Sequence, residues 1–181
     1  MINTKSELKL VLQKERALYL SNDIRMVILK WATRNHDYLL WKYVKALRIV
    51  EYYANQKNQI MFYLWERKKN LLGARLGISL WHNCAAEGLR IWHYGSIIVN
   101  ANATLGKNCQ LHGDNCIGNK GTIGKGSPVI GDNVDIGVGA KIIGDIYIAN
   151  GVKIGANAVV TKSCEIEGAT LVGIPARVLA P

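Results

Sequence analysis

The chain predicts an all-β left-handed parallel β-helix of hexapeptide repeats, set behind an α-helical N-terminal domain. Three features of the sequence predict it. An aliphatic residue recurs every six positions, at Val99, Leu105, Leu111 and Ile117, and again at Ile130, Ile136, Ile142, Ile148, Ile154, Val160, Ile166 and Val172. Glycine often follows it, as at Gly106, Gly118, Gly131, Gly137 and Gly155. Two residues before the next aliphatic position stands a small or apolar residue: Ala103, Cys109, Val134, Ala140, Val152, Ala158 and Cys164. A helix repeats at about 3.6 residues and a strand alternates at about 2, so neither produces a phase of six. Three hexads close one triangular coil. Each aliphatic side chain turns inward, and glycine serves where a corner needs positive φ.

The segment before the repeats reads differently. Residues 1–75 contain one glycine, Gly73, and no proline. Thr4 and Glu7 have capping-box spacing ahead of Leu8, Val11, Leu12 and Leu18. Ser21-Asn22 interrupts that run, and Ile24, Val27, Ile28 and Trp31 form a second apolar stripe. Leu40, Val44 and Leu47, with Tyr43 and Val50, form a third. A turn at 55–58 precedes Ile60, Met61, Leu64 and Leu71-Leu72, a last helix leading to Gly73. Glycine becomes frequent near Gly77, which divides the chain into a helical domain, 1–77, and a β-helix domain, 78–181. Residues 78–98 lead into the coil in poor register, and projecting the hexads back from Val99 puts His93 on an inward phase. Ile117 and Ile130 are 13 positions apart rather than 12, so 118–128 is a candidate loop leaving the coil. Gly173-Ile174-Pro175-Ala176-Arg177 closes the last coil.

Composition bounds the function. The chain has 181 residues and a net charge of +10. Residues 1–75 carry 15 Lys and Arg against 6 Asp and Glu, so the basic character belongs to the helices and the coil is nearly neutral. No apolar run of about 18 residues is long enough to span a bilayer. The start, MINTKSELKL, lacks the apolar stretch of a secretory signal. A cytoplasmic protein is expected. Trp31, Trp41, Tyr43, Tyr52, Tyr53, Tyr63 and Trp65 stand among the basic residues. They suit a helical collar with an aromatic core, or peripheral contact with an anionic membrane face; no nucleic-acid partner is expected. Cys84, Cys109, Cys116 and Cys164 form no CxxC pair and read as reduced thiols, with disulfide and zinc roles as alternatives. No metal is expected.

Few residues are placed to carry chemistry. His93 lies in Leu89-Arg90-Ile91-Trp92-His93-Tyr94-Gly95, and an imidazole suits a general base acting on a hydroxyl. Trp92 and Tyr94 flank it as walls for a sugar or pantetheine. The alternative is a structural histidine packed on the inward phase. His112, with Asp114 and Asn115 beside it, either orients the acceptor or is a solvated coil residue. His82 reads as structural, and His36, between Asn35 and Asp37, as a surface residue at a helix boundary. The loop with Lys120, Gly121 and Lys125 suits cover for a pantetheine arm. Coils of this kind are most often associated with acyl transfer from a coenzyme A thioester, and Lys141, Lys162 and Arg177, on or after late coils, are either solvated charges or cations for its phosphates.

In the stretches GLRIWHYGSIIVNANATLGKNC, PVIGDNVDIGVGAKIIGDI, KIGANAVV and GIPARV, the sequence resembles the serine acetyltransferase group of hexapeptide-repeat acyltransferases. It is most similar to the serine-acetyltransferase-like O-acetyltransferases of capsule and exopolysaccharide biosynthesis. The resemblance covers about 70–181 and extends weakly through EYYANQKN and ERKKNLLGARLG. It implies a homotrimer with sites between neighbouring coils, His93 as general base, and acetyl-CoA lying against backbone near Gly121, Ala140 and Ala158. Two departures bear on the acceptor. Serine acetyltransferases have Asp before that histidine, where this chain has Trp92. They have Arg-His before the loop proline, where this chain has Gly126-Ser127. An amino-acid acceptor thereby loses partners for its charges, and an aromatic suits a sugar face. The family's Asp some fifteen residues upstream of the histidine is also missing, so Glu87, Asp114 or a backbone carbonyl is left to orient His93. The reading is acetyl transfer from acetyl-CoA to a glycan or sugar-precursor hydroxyl, with backbone N–H groups holding the oxyanion. The alternatives are serine O-acetylation and a non-catalytic scaffold.

Overall fold

The computed structural model describes residues 1–121 and 126–179. Four helices come first: α1 (Lys5–Tyr19), α2 (Ile24–Ala32), α3 (His36–Asn55) and α4 (Gln59–Leu76). Each begins on a side-chain cap. Thr4 and Glu7 form the expected capping box, and Asp23, Asn35 and Asn58 accept from backbone N–H groups of α2, α3 and α4.

Three sheets then form the sides of a triangular prism. The first face holds β1 (Ile78–Ser79), β3 (Ile97–Val99), β6 (Cys116–Gly118), β9 (Lys141–Ile143) and β12 (Val159–Val160). The second holds β4 (Thr104–Leu105), β7 (Val129–Ile130) and β10 (Tyr147–Ile148). The third holds β2 (Arg90–Ile91), β5 (Gln110–Leu111), β8 (Asp135–Ile136), β11 (Lys153–Ile154), β13 (Thr170–Val172) and β14 (Arg177–Val178). Neighbours on a face pair in parallel, except β14, which folds back antiparallel on β13. The chain visits the faces in turn, which is why a period of six appears in the sequence.

The repeat holds on either side of the 118–128 segment, which lengthens one coil to 25 residues between the paired Leu105 and Ile130, and it fails at both ends. Ten of the twelve aliphatic positions, Val99 to Val160, are buried, as are all seven small-residue positions. Ile166 and Val172 are not: they are 60% and 36% exposed. The last coil is shorter than 18 residues. Ile148 pairs with Cys164 and Ile154 with Leu171, so Cys164 and Leu171 fill the inward places. At the other end the coil begins at Ile78, within the segment read as a lead-in, and Ile91 and Ile97 are inward.

The helices dock on the first coils through buried polar contacts. Arg48 of α3 is wholly buried. Its guanidinium donates to Glu15 of α1 (2.7 Å) and to Glu51 (2.9 Å), and to the carbonyls of Ala85 (2.7 Å) and Ala86 (2.6 Å). Glu15 also accepts from the N–H groups of Gly88 and Leu89, and Glu51 from that of Asn83. Burial alone would lower the Arg48 pKa, but the two carboxylates outweigh it and hold the guanidinium charged. The Tyr19 hydroxyl donates to Leu89 O (3.0 Å) and accepts from Ile91 N (2.8 Å), and Tyr43 accepts from Leu80 N. α4 runs through Gly73 to Leu76, past the expected end, and Gly77 caps it with φ +66°. Gly73 is needed for close approach: a Cβ there would sit 2.4 Å from Ile78 O. The apolar stripe of α2 meets the core only through Val27. No residue of α2 is fully buried, and Ile24, Ile28 and Trp31 face outward.

Two outcomes follow from this packing. Arg48→Met should lower unfolding free energy by about 3–5 kcal/mol in urea, because it leaves two carboxylates buried without a cation. Replacing Glu15, Arg48 and Glu51 together by apolar residues should recover part of that loss. Burial raises the Cys84 and Cys109 thiols to about 11, so few thiolates form at neutral pH. In native protein a disulfide reagent should leave Cys84 and Cys109 unmodified and react with the less buried Cys116 first.

Candidate active site

His93 occupies the corner where the chain passes from the third face to the first. Here Ile91 and Val99 are eight apart, while Leu111 and Ile117 above them are six apart. The two extra residues push Trp92, His93 and Tyr94 outward, and all three are exposed. The inward placement of His93 is therefore overturned: the back-projection crosses this expansion. Gly95 (φ +109°) and Ser96 (φ +48°) turn the chain back onto the first face. Gly95 N donates to Leu76 O, and Gly95 O accepts from Asp114 N, which locks the corner between α4 and the next coil.

The His93 ring stacks on His36 of α3, centroids 5.9 Å apart at 23°. His36 is exposed at the first residue of α3, as read from the sequence, and also serves as a packing partner of His93. His36 in turn lies 3.5 Å from Asp37. Desolvation would raise the Asp37 carboxyl, but the Lys30 hydrogen bond and the His36, Lys30 and Arg90 charges hold it below the usual carboxylate range. Of the groups expected to orient His93, Glu87 pairs with Lys14 and Asp114 with Lys141. Among the described residues neither reaches the imidazole.

Beside His93 stands a second aromatic column. Trp92 stacks on His112, one coil above, at 5.7 Å and 21°. Trp92 Nε1 donates to Gln110 Oε1 (2.8 Å), and the Arg90 guanidinium covers the other side of the indole at 4.5 Å. His112 Nε2 lies 2.7 Å from Asp135 Oδ1. His112 is part-exposed, and its ring is held between a carboxylate and an indole. Arg90 is fully engaged, with Asp37, with Leu18 O and over the Tyr19 ring. His36, Arg90, Gln110, Asp37 and Asp135 gave no local signal as site residues. Only pairing across coils and docking of α3 bring them there.

The other candidates divide between two edges of the first face. His93, His112, Asn115, Ala140, Lys141 and Ala158 belong to the edge between the third and first faces. Gly121 and Lys162 belong to the opposite edge, where the loop leaves. Arg177 lies on β14, at the end of the third face. Asn115 is buried and is not an acceptor contact. It accepts from Gly113 N (3.0 Å) and donates to Gly137 O (2.8 Å), bracing the corner above His93. Ala140 and Ala158 turn inward. Ala140 O accepts from Cys116 N and Ala158 O from Lys141 N, so both carbonyls already serve the coil. Lys141 donates to Asp114 O (2.6 Å), so it is not a free phosphate cation. Gly121 and Lys162 are exposed. Lys125 and the rest of 122–125 lie outside the described residues. His82 packs edge-on against Phe62, away from this edge. A surface cleft of about 510 Å³ along α4 and β1 holds no imidazole or thiol, and its Lys69 and Glu66 pair with each other.

Solved structures were found that share this arrangement of helices and prism. A soybean serine acetyltransferase complexed with serine matches with a TM-score of 0.75 at 26% identity, covering 95% of this chain and 69% of that one. This chain has the serine acetyltransferase fold. A Neisseria gonorrhoeae serine acetyltransferase in complex with serine gives 0.71 at 23% identity, covering 97% and 70%. One from Brucella abortus gives 0.71 at 22%, over 97% and 70%. The left-handed β-helix behind an N-terminal helical part, as read from the sequence, is the architecture of these proteins. No protein-family model and no curated protein sequence matches the chain.

Gly113 tests the geometry of the corner. Its φ is +114°, and a Cβ there would meet His93 Cβ and O at 3.4 Å. Gly113→Ala should cost about 1–3 kcal/mol of stability in urea and shift the His93 ring resonances. Gly118→Ala, where a Cβ meets only Asn100 at 3.9 Å, should do neither.

Proposed function

We propose that the protein transfers an acetyl group from acetyl-CoA to a hydroxyl of a bacterial surface polysaccharide or its sugar precursor. The observation that carries this reading is the exposed His93 beside the Trp92–His112 column, in the fold of acetyltransferases. His93 acts as general base. The acceptor oxygen attacks the thioester carbon, a C–O bond forms and the C–S bond breaks. The hydroxyl proton passes to the imidazole and then to the coenzyme A thiolate. The exposed parts of the Trp92 and Tyr94 rings, on either side of His93 in the chain, offer apolar surface of the kind that holds a sugar ring.

The charges at this edge support a neutral acceptor group. Arg90 and Lys141 are both paired, so the prism edge beside His93 offers no spare cation for an amino-acid carboxylate among the described residues. The second reading, serine O-acetylation, is favoured by the solved relatives, two of them complexed with serine. A homotrimer supports either reading. The loop edge of one prism would meet the His93 edge of the next, so that Gly121 and Lys162 approach His93 from another subunit. Acetyl-CoA would lie in that groove, and Lys162 and Arg177 remain candidates for its phosphates.

Coenzyme A release is the test, with L-serine and deacetylated capsular polysaccharide as competing acceptors. Release with the glycan alone supports the first reading, and release with serine alone replaces it with the second. His93→Ala should lower turnover by about 10²–10⁴-fold while acetyl-CoA affinity stays near wild type. Unchanged turnover would remove His93 from the chemistry.

A further inference from the structure

A cleft of about 340 Å³ opens next to His93, between α2, α3 and α4. Trp31, Arg34, Tyr38, Lys42, Arg75 and Tyr94 line it. Two chain connections tie it to the candidate site. Tyr94 is the residue after His93, and Arg34 precedes by two residues the His36 whose ring stacks on His93. A second cleft, about 460 Å³, continues from it along α4, sharing Lys42 and Arg75 and adding Arg67 and Lys68.

The walls are cationic and apolar at once. No acidic residue lines either cleft, and among the described residues none of these five cations has a carboxylate partner. Like charges gathered without a counter-charge repel one another, and an anionic ligand removes that cost. Trp31 is 61% exposed, and Leu64 and Leu71 are exposed along the second cleft. These side chains stay in water although α2 and α4 have a core available to them. The Trp41 and Tyr43 rings of α3 do take that core. An inorganic anion would satisfy the cations and leave the apolar walls wet, whereas an amphiphile with a phosphate head satisfies both.

We infer that these clefts hold the lipid phosphate of a lipid-linked saccharide acceptor. Its phosphate lies on Arg34, Lys42 and Arg75, its hydrocarbon chain lies along Trp31 and the α4 leucines, and its sugar passes over Tyr94 to His93. The inference rests on the acetyltransferase reading and names the acceptor class for that site.

The probe is geranylgeranyl diphosphate titrated calorimetrically into the full chain, beside inorganic diphosphate and geranylgeraniol. The diphosphate lipid should bind, with both fragments weaker by about tenfold or more. Arg34→Ala/Lys42→Ala/Arg75→Ala should weaken it by about tenfold or more, because charge-assisted contacts to phosphate are lost. Trp31→Ala should weaken the lipid and leave inorganic diphosphate unchanged. Thermal melting of each variant near wild type shows that the loss is local, since all four side chains are exposed. Equal affinity for inorganic diphosphate overturns the lipid assignment, and an unchanged triple variant overturns the cleft. Sedimentation with phosphatidylglycerol vesicles without binding of the monomeric lipid would make the surface a membrane contact and overturn the ligand site. Acetyl-CoA binding by the wild type, measured in parallel, separates the two failures. If acetyl-CoA binds and the lipid does not, the acetyltransferase reading stands alone; if neither binds, both fall.

Discussion

The buried guanidinium of Arg48 is the point on which the architecture turns. It sits between Glu15 and Glu51 and reaches the Ala85 and Ala86 carbonyls. One side chain thereby joins α1, α3 and the first coil. Two carboxylates around one cation leave an excess negative charge, and the N–H groups of Gly88, Leu89 and Asn83 point at it. Burying three charges is favourable only when every donor and acceptor is matched, and here the matches come from three separate elements. Helices and prism are consequently one cooperative body, and any geometry built between them inherits that rigidity.

The candidate site is built between them. His36 arrives on the first residue of α3, and Asp37 gathers Lys30 of α2 and Arg90 of β2. Arg90 then lies against both Tyr19 and Trp92. The path from the buried triad to the exposed imidazole consists of packed rings and paired charges, with Asn115 holding the corner above. Trp92, the departure from the serine acetyltransferase pattern, is central to this arrangement. An aspartate in its place has no flat face for His112 or for Arg90.

Charge is partitioned in a way that suits an acceptor and a donor of different character. Along the His93 edge the cations are spent on carboxylates of the same chain. On the helical side, Arg34, Lys42 and Arg75 are unspent, and these residues account for part of the excess that makes residues 1–75 so basic. The apolar surface of α2 belongs to the same face. Part of what composition reports as an unusual charge balance is, in three dimensions, the lining of two adjoining clefts.

The sequence by itself determined the prism. Six-residue periodicity is local information, and each inward position is fixed by one aliphatic side chain and a corner that tolerates few alternatives. Val99 to Val160 could therefore be placed without any long-range contact. The helices and the capping box were legible for the same reason; the break after Ile117 was legible but not its size, since the spacing suggested one extra residue and the pairing of Leu105 with Ile130 makes it seven. Positions where coil length changes were not. Two residues added at Trp92–Ser96 and one or two removed before Leu171 leave no mark in a hexad pattern, yet they move His93 outward and Val172 off the core. His93, Trp92 and His112 were recognisable as candidates from residue type. Their roles depended on partners 18 to 57 residues away, at Gln110, Asp135 and His36. Only the tertiary structure decided which imidazole stands free, which is held, and which cations remain unpaired, because those are properties of contacts between coils and helices that no local spacing encodes.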